Sequence, residues 1–515
     1  MTDTAVREMP SNAVAIIGAG PAGLVTARWL ASHGFEPVLF EGADRPGGQW
    51  NAASSLSGTW RGMRTNTSRV MTRFSDLDHP EGTPVYPSRE DMHAYLERYA
   101  ERFGLMPRIR CRTWVERLEK ADGGGWILRS RRDGEVRTER FARVVVASGR
   151  YVAPEVPPVP GLNGFAGALG TAHTNQYGGG QAYRGKDVLV AGCSISALEI
   201  ASDIALSGAR SVTVCYRRQR YVLSKLVAGV PTDHIMFTRA AALMGELLPP
   251  DDLATGLKAT VLRMAGSPDQ FGAMTPDGNI FAAGITQSQH FLPLVAEGRI
   301  AVRPWIKAID GRIVGFADGR KGEFDAILFG TGYRLSLPFL APDVAVTLGV
   351  DRTHLDLYDH TFHPDLEGIA FVGLYDQVGP LFPVLELQGR WIAYTWAGVI
   401  PAPSSQSMAA GLARSRALSG GGPQSIPMQV LALLFARNAR VEPDLGQWPE
   451  LERALLFGPL SPVSFRLQGP DSLEEAPTLT AAAAASFGGI RSPEMNDEER
   501  GLKDLITRTG ASRAA

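Results

Sequence analysis

Gly18-Ala19-Gly20-Pro21-Ala22-Gly23 is the stretch on which the reading of this chain turns. It follows a short apolar run, residues 14–17, that reads as a buried strand. It opens residues 21–32, which read as a helix because Leu24, Ala27 and Ala31 share one face. Residues 38–40 then resume as a second strand that ends in Glu41. The whole is a β-α-β unit of the length a parallel sheet requires. In such a unit Gly18 permits a tight turn and Gly20 lets the backbone approach a pyrophosphate. Gly23 lets the helix pack on the strand, and the helix N-terminus, begun by Pro21 and Ala22, offers amide donors and a positive dipole. Glu41 stands where a carboxylate accepts hydrogen bonds from ribose hydroxyls. Strand, turn, helix and acid in register point to a dinucleotide.

A second unit of the same kind runs over residues 188–216, with a helix at about 196–206 stopped by Gly208. Its turn is Gly192-Cys193-Ser194-Ile195-Ser196-Ala197, so serine and alanine replace the second and third glycines. Small residues still allow close backbone approach, and the hydroxyls of Ser194 and Ser196 are phosphate donors. Arg217 and Arg218 follow the next strand, where a ribose 2′ substituent falls, and favour the extra phosphate of NADP over NAD. Two dinucleotide units in one chain predict a flavin on the first and a nicotinamide donor on the second, with hydride passing between the rings.

Between and around these units the chain is less regular. Residues 42–87 are rich in Gly, Ser, Asn, Asp and Pro, and a long irregular segment inside a compact domain is expected to wrap a ligand. Ser88, with Asp91 three residues on, opens a helix carrying Met92, Tyr95, Leu96, Tyr99 and Phe103 on one face. Turns are expected at 123–125 and 133–134, short strands at 144–147 and 327–329, and a boundary at the proline-rich stretch 154–160. Residues 419–422 read as a Gly/Ser loop, and the charged chain from about 493 as a solvated helix or disordered tail.

The 515 residues leave room for two or three packed units. A net charge of −1 gives no footprint for nucleic acid or an anionic surface. Cys111, Cys193 and Cys215 include no C-x-x-C pair, so they assemble neither a zinc site nor a dithiol centre by themselves, and no metal is expected. The first apolar run ends at Gly18, and 430–436 is far too short to span a bilayer, so the expected location is the cytoplasm. With no redox cysteine pair, the electrons are expected to go to O2 or a small acceptor.

With these motifs in place the sequence resembles the flavin-containing monooxygenases over roughly residues 13–485. The further residues that carry the resemblance are Gly47-Gly48-Gln49-Trp50, Met63-Arg64-Thr65-Asn66-Thr67-Ser68, Phe74-Ser75-Asp76 and Ala147-Ser148-Gly149-Arg150-Tyr151. Later come Phe329-Gly330-Thr331-Gly332-Tyr333 and the run from Phe382 to Trp391 that contains Gln388. The resemblance implies an α/β fold of two Rossmann-like dinucleotide-binding domains, the NADPH domain inserted into the FAD domain. The expected division is 1–164 and 321–485 for FAD, 165–320 for NADPH and 486–515 for a polar tail.

It also implies FAD and NADPH as cofactors, contacts to them from Gly48, Gln49, Trp50, Thr65, Asn66, Thr67, Gly332 and Gln388, and a homodimer. The implied chemistry is a C4a-hydroperoxyflavin, formed from NADPH and O2, that passes one oxygen to a nucleophilic nitrogen or sulfur of a small molecule. Asn66 matches the family's active-site asparagine, where a preorganised amide donor serves a water-poor site. Two departures stand out. The linker fingerprint has two extra residues between Phe165-Ala166-Gly167 and His173, and Gly330 replaces the family's alanine. His173 reads as a structural residue orienting the linker, and Tyr177, where the Baeyer-Villiger relatives have tryptophan, favours heteroatom oxygenation. The alternatives are oxygen insertion into a ketone and an NADPH oxidase or redox partner that releases peroxide.

Overall fold

The computed structural model describes residues 6–418 and 425–514. Its first sheet is built around β1 (Ala13–Ile17), which is wholly buried. The chain passes from β1 through α1 (Pro21–Ser32) to β2 (Glu36–Phe40), and β2 lies parallel beside β1. After the irregular segment and α2 (Arg89–Arg102), Arg143–Val146 returns as β3 on the other side of β1, also parallel. Ile109–Arg110 and Ile369–Phe371 complete the two edges of this parallel five-stranded sheet. Because both faces are covered, its strands are continuous apolar runs without alternation.

The capping box expected at α2 is present: the Ser88 side chain accepts from the Asp91 amide, and the Asp91 carboxylate accepts from the Ser88 amide. The expected turns at 123–125 and 133–134 join the antiparallel strands Thr113–Lys120, Trp126–Arg132 and Glu135–Phe141.

The second parallel sheet repeats the plan. Its strands are β4 (Gly170–His173), β5 (Asp187–Ala191), β6 (Ser211–Tyr216), β7 (Ile300–Pro304) and β8 (Ala326–Phe329), in the order β4-β8-β5-β6-β7. The helix α3 (Ile195–Leu206) joins β5 to β6. The strand β8 comes after residue 320, the expected boundary, and belongs to this sheet. β8 lies between β4 and β5, parallel to both.

Between β6 and β7 lies a helical insertion with α4 (Thr232–Met236), α5 (Arg239–Leu247) and α6 (Pro250–Ala265). The helix α7 (Phe382–Trp396) packs along α1, and Gly389 makes the approach possible. A Cβ there would sit 3.1 Å from Thr26 Oγ1, and Trp29 and Trp391 are fully buried in the adjoining core.

Of the two expectations for the chain from 493, a solvated helix or a disordered tail, the helix is the one the structure shows. Asp497–Ala514 forms α8, which packs on α5, with Arg453–Glu499 at 2.9 Å and Lys503–Glu452 at 2.7 Å tying it to the body. Glu499 meets a guanidinium and Lys503 a carboxylate across the interface, which composition does not reveal. The loop expected at 419–422 lies outside the described residues. No helix among the described residues is long and apolar enough to cross a membrane.

Candidate active site between two glycine turns

Each parallel sheet ends in a glycine turn at the C-terminal edge of its central strand, the place where open α/β sheets bind ligands. At the first turn Gly18 has φ +104°, and a Cβ on it would lie 2.5 Å from the Ala147 carbonyl oxygen. A Cβ on Gly23 would lie 2.0 Å from Gly18 O, so helix and turn touch backbone to backbone. At the second turn Gly192 has φ +138° and meets Gly330 O in the same way, at 2.3 Å from where its Cβ would be.

Both turns open into one cavity of about 2290 Å3. That is roughly twice the ~1,000 Å3 upper range for one drug-sized ligand, and it has room for two dinucleotides. Gly18, Gly20, Pro21, Ala22 and Glu41 line one end and Gly192, Ser194, Ser196, Arg217 and Arg218 the other. The irregular segment supplies the wall between them, with Gly48, Gln49, Trp50, Thr65, Asn66 and Thr67, and Gly332 completes it.

Three expected residues do not line the cavity. Gly23 and Ala197 lie beneath their turns as packing surfaces. Gln388, placed by the resemblance at the cofactor, is fully buried inside α7. Its Oε1 accepts from the Gly373 amide at 3.1 Å and the Tyr375 hydroxyl at 3.2 Å, and its Nε2 donates to Thr361 Oγ1 and Phe371 O. Gln388 thus positions the loop whose Gly373 and Tyr375 face the cavity.

The polar groups differ in how free they are. Glu41 accepts from the amides of Ala19 and Ala43, each at 2.9 Å, and burial outweighs those bonds to raise its pKa. Gln49 is fully engaged, donating to Leu56 O and Tyr151 O and accepting from the Gly58 amide, so it pins the irregular segment. Ser194 caps α3 by accepting from the Ala197 amide and donates to Gly330 O at 3.0 Å, so in its 3.1 Å contact with Ser196 Oγ it is Ser196 that donates. Among the described residues the Asn66 amide has no protein partner, and Ser148 Oγ is buried without one. Arg217 stacks on Trp305 at 4.8 Å, and among the described residues neither it nor Arg218 forms an ion pair with a carboxylate.

Buried and half-buried donors without partners, facing a glycine-walled cavity, fit ligands rich in phosphate and carbonyl oxygen. Sequence reading passed over Ser148, although the motif it sits in was recognised, and Trp305, which carries no local signal.

His173 ties the linker as a structural residue: its Nε2 donates to Gly332 O at 3.1 Å and its Nδ1 accepts from the Asn175 amide at 3.2 Å. Burial lowers its pKa, so the ring is a neutral clasp between linker and hinge. Tyr177 is turned into the core of the second domain, with its hydroxyl donating to Asp203 Oδ2. The substitution at Gly330 also has a local cause. A Cβ there would fall 2.6 Å from Ala197 Cβ, so glycine at 330 makes room for the alanine that replaces the third glycine of the second turn.

The comparisons agree with this geometry. The model of the flavin-binding monooxygenase-like family matches residues 11–483. The chain is 30% identical over 521 residues to dimethylaniline monooxygenase (N-oxide-forming) 2 of Rattus norvegicus, covering 96% of this chain and 93% of that protein. It is 28% identical over 520 residues to flavin-containing monooxygenase 2 of Homo sapiens, with the same coverages of 96% and 93%. Among solved structures, S-allyl-L-cysteine S-oxygenase from Allium sativum superposes with a TM-score of 0.63 at 23% identity over 97% of this chain and 98% of that one. Cyclohexanone monooxygenase from Rhodococcus sp. Phi1 bound to NADP+ gives 0.62 at 18% identity over 85% and 98%. These two likenesses speak for the fold, and with the family match they support the conclusion that the chain belongs to the flavin-binding monooxygenase-like family and is an FAD- and NADPH-dependent monooxygenase.

Proposed function

We propose that the enzyme transfers one oxygen atom of O2 to a nucleophilic nitrogen or sulfur of a small organic molecule. The observation that carries this reading is the single cavity joining both glycine turns, with the unpartnered Asn66 amide on the wall between them. Bound FAD, reduced by hydride from NADPH, supplies the oxygen activation. The chain itself binds, orients and keeps water out. The first turn and the start of α1 would hold the FAD pyrophosphate, with Glu41 at its ribose. Ser196 and the second turn would hold the NADPH pyrophosphate, and Arg217 and Arg218 its 2′-phosphate. Asn66 would donate a hydrogen bond towards the flavin edge where oxygen is delivered. The named activities of the relatives, N-oxide formation and S-oxygenation, support heteroatoms over ketones as acceptors. The reading places the enzyme in the cytoplasm as a homodimer, which fractionation and light scattering test.

The FAD-loaded enzyme given NADPH and 18O2 with a tertiary amine, a thioether and a cyclic ketone is expected to label the first two products and not a lactone. In the Asn66→Ala variant, product formation is expected to fall about 100-fold while NADPH is still oxidised, the size of effect that follows loss of one preorganised donor. Stoichiometric peroxide from the wild type with all three compounds, and no labelled product, would overturn the reading in favour of an oxidase.

A further inference from the structure

The short helix α4 brings Asp233 to the wall of the same cavity, and the residue is 2% exposed. Its Oδ2 accepts the Ser68 amide at 2.7 Å, which holds the carboxyl against the turn that begins with Asn66. Its Oδ1 is buried with no partner at hydrogen-bonding geometry, while the Ser68 hydroxyl and the amides of Asp233 and His234 lie near enough to favour the charged form. Among the described residues no cation pairs with it. Lys225 Nζ pairs with Glu199 at 2.8 Å and faces Thr65 O, and His234 Nε2 meets Ser68 Oγ at 3.1 Å with its pKa lowered to about 4 by burial. Tyr86 donates its hydroxyl proton to Lys225 O, and burial with the Asp233 charge beside it raises its pKa.

Beyond Asp233 the cavity wall carries Met236, Phe237, Ala240, Met244 and Leu248, with Thr238 as a polar neighbour. A buried carboxyl oxygen without a partner is costly, and such a group calls for a ligand that satisfies it. Here the ligand must bring a donor at one end and an apolar body to cover the wall.

Resting on the function proposed above, we infer that Asp233 takes the proton from the ammonium form of an aliphatic amine substrate seated in this apolar arm. The physical need is plain. With an ammonium pKa near 10.4, only on the order of one aliphatic amine in a thousand carries a free lone pair at neutral pH, and the lone pair is what attacks oxygen. In the transfer the ammonium N–H bond breaks with its electron pair left on nitrogen, and an O–H bond forms at the Asp233 carboxylate. The overall oxygenation consumes one proton in making water, so the proton is balanced within the cycle. Burial pushes the Asp233 carboxyl up to about 6 and in an apolar arm lowers the amine's pKa, so both shifts favour the neutral pair.

The test compares Asp233→Asn with wild type on an aliphatic tertiary amine, an aniline that is neutral at pH 7 and a thioether. Asparagine keeps an acceptor for the Ser68 amide. The expected result is a fall in kcat/KM of about 100-fold for the aliphatic amine, with the aniline and thioether within about threefold, in the range general-base catalysis contributes. An equal fall for all three, or an unchanged aliphatic amine, overturns the inference. Should the variant not fold, the wild-type pH profile decides. A rise in kcat/KM through about pH 6 for the aliphatic amine but not for the thioether supports the inference, and parallel profiles overturn it. If wild type oxygenates neither amine nor thioether, the function itself fails and the inference with it, whereas a normal thioether rate shows that only the inference is at stake.

Discussion

At the residue scale the site separates groups that hold the fold from groups left for ligand. Gln49, Ser194 and Gln388 are polar, buried or half-buried, and occupied by protein partners. Asn66, Ser148, Arg217 and Arg218 face the cavity, and among the described residues their side chains make no hydrogen bond or ion pair. Sequence motifs do not distinguish these two sets, because a motif records which residue stands at a position and not where its hydrogens point. The arginines give a direct check. Removing both guanidinium groups (Arg217→Ala with Arg218→Ala) is expected to lower the preference for NADPH over NADH, measured as the ratio of kcat/KM values, by about 10- to 100-fold. That corresponds to the ~1.5–3 kcal/mol of a hydrogen bond to a charged group. An unchanged ratio would show that the 2′-phosphate lies elsewhere.

At the element scale the two β-α-β units reach the same geometry with different residues. The first uses glycine at all three positions of the turn. The second keeps only the first glycine and admits Ala197 because Gly330, on the loop after β8, yields the space. A Gly330→Ala variant is expected to destabilise the protein by about 1–3 kcal/mol through overpacking. Adding Ala197→Gly should restore most of the loss, so chemical denaturation of the two single variants and the double variant closes a cycle with a favourable coupling energy. Simple additivity would refute the pairing. The two positions are 133 residues apart in the chain, which is why each looked like an isolated departure until the fold joined them.

At the scale of the molecule the C-terminal part of the chain returns to the first domain, and one contact of that closure titrates. His33, at the end of α1, meets Asp471 at 3.3 Å. The hydrogen bond to Asp471 raises the His33 pKa above 6.5, and the bond from His33, with Tyr394, holds Asp471 down at about 2. The His33 contribution is full below its unfolded pKa and is lost as pH rises through the higher folded value. The Asp471 contribution is full above its unfolded pKa and is lost as pH falls towards 2. The Tm deficit of a His33→Gln variant is therefore expected to be largest near pH 4–6 and to shrink by pH 8–9. A deficit that is constant across this range would show that the contact does not depend on charge.

Local order carried the fold a long way. The strand ending at Ile17, the helix Pro21–Ser32, the capped helix after Ser88 and both glycine turns were legible because each is specified by residues within one or two turns of chain. The parallel sheets followed from two β-α-β units in series. What only the tertiary structure decided are the relations between distant segments: strand Ala326–Phe329 inserted between two earlier strands, and the charged C-terminal segment docked as a helix. Gln388 turned inward, Gly330 paired with Ala197, and Asp233 set against Ser68 with one oxygen unsatisfied belong to the same class. Spacing and periodicity report a residue's neighbours along the chain, whereas burial, partner geometry and unsatisfied groups are set by atoms that meet only when the chain has folded.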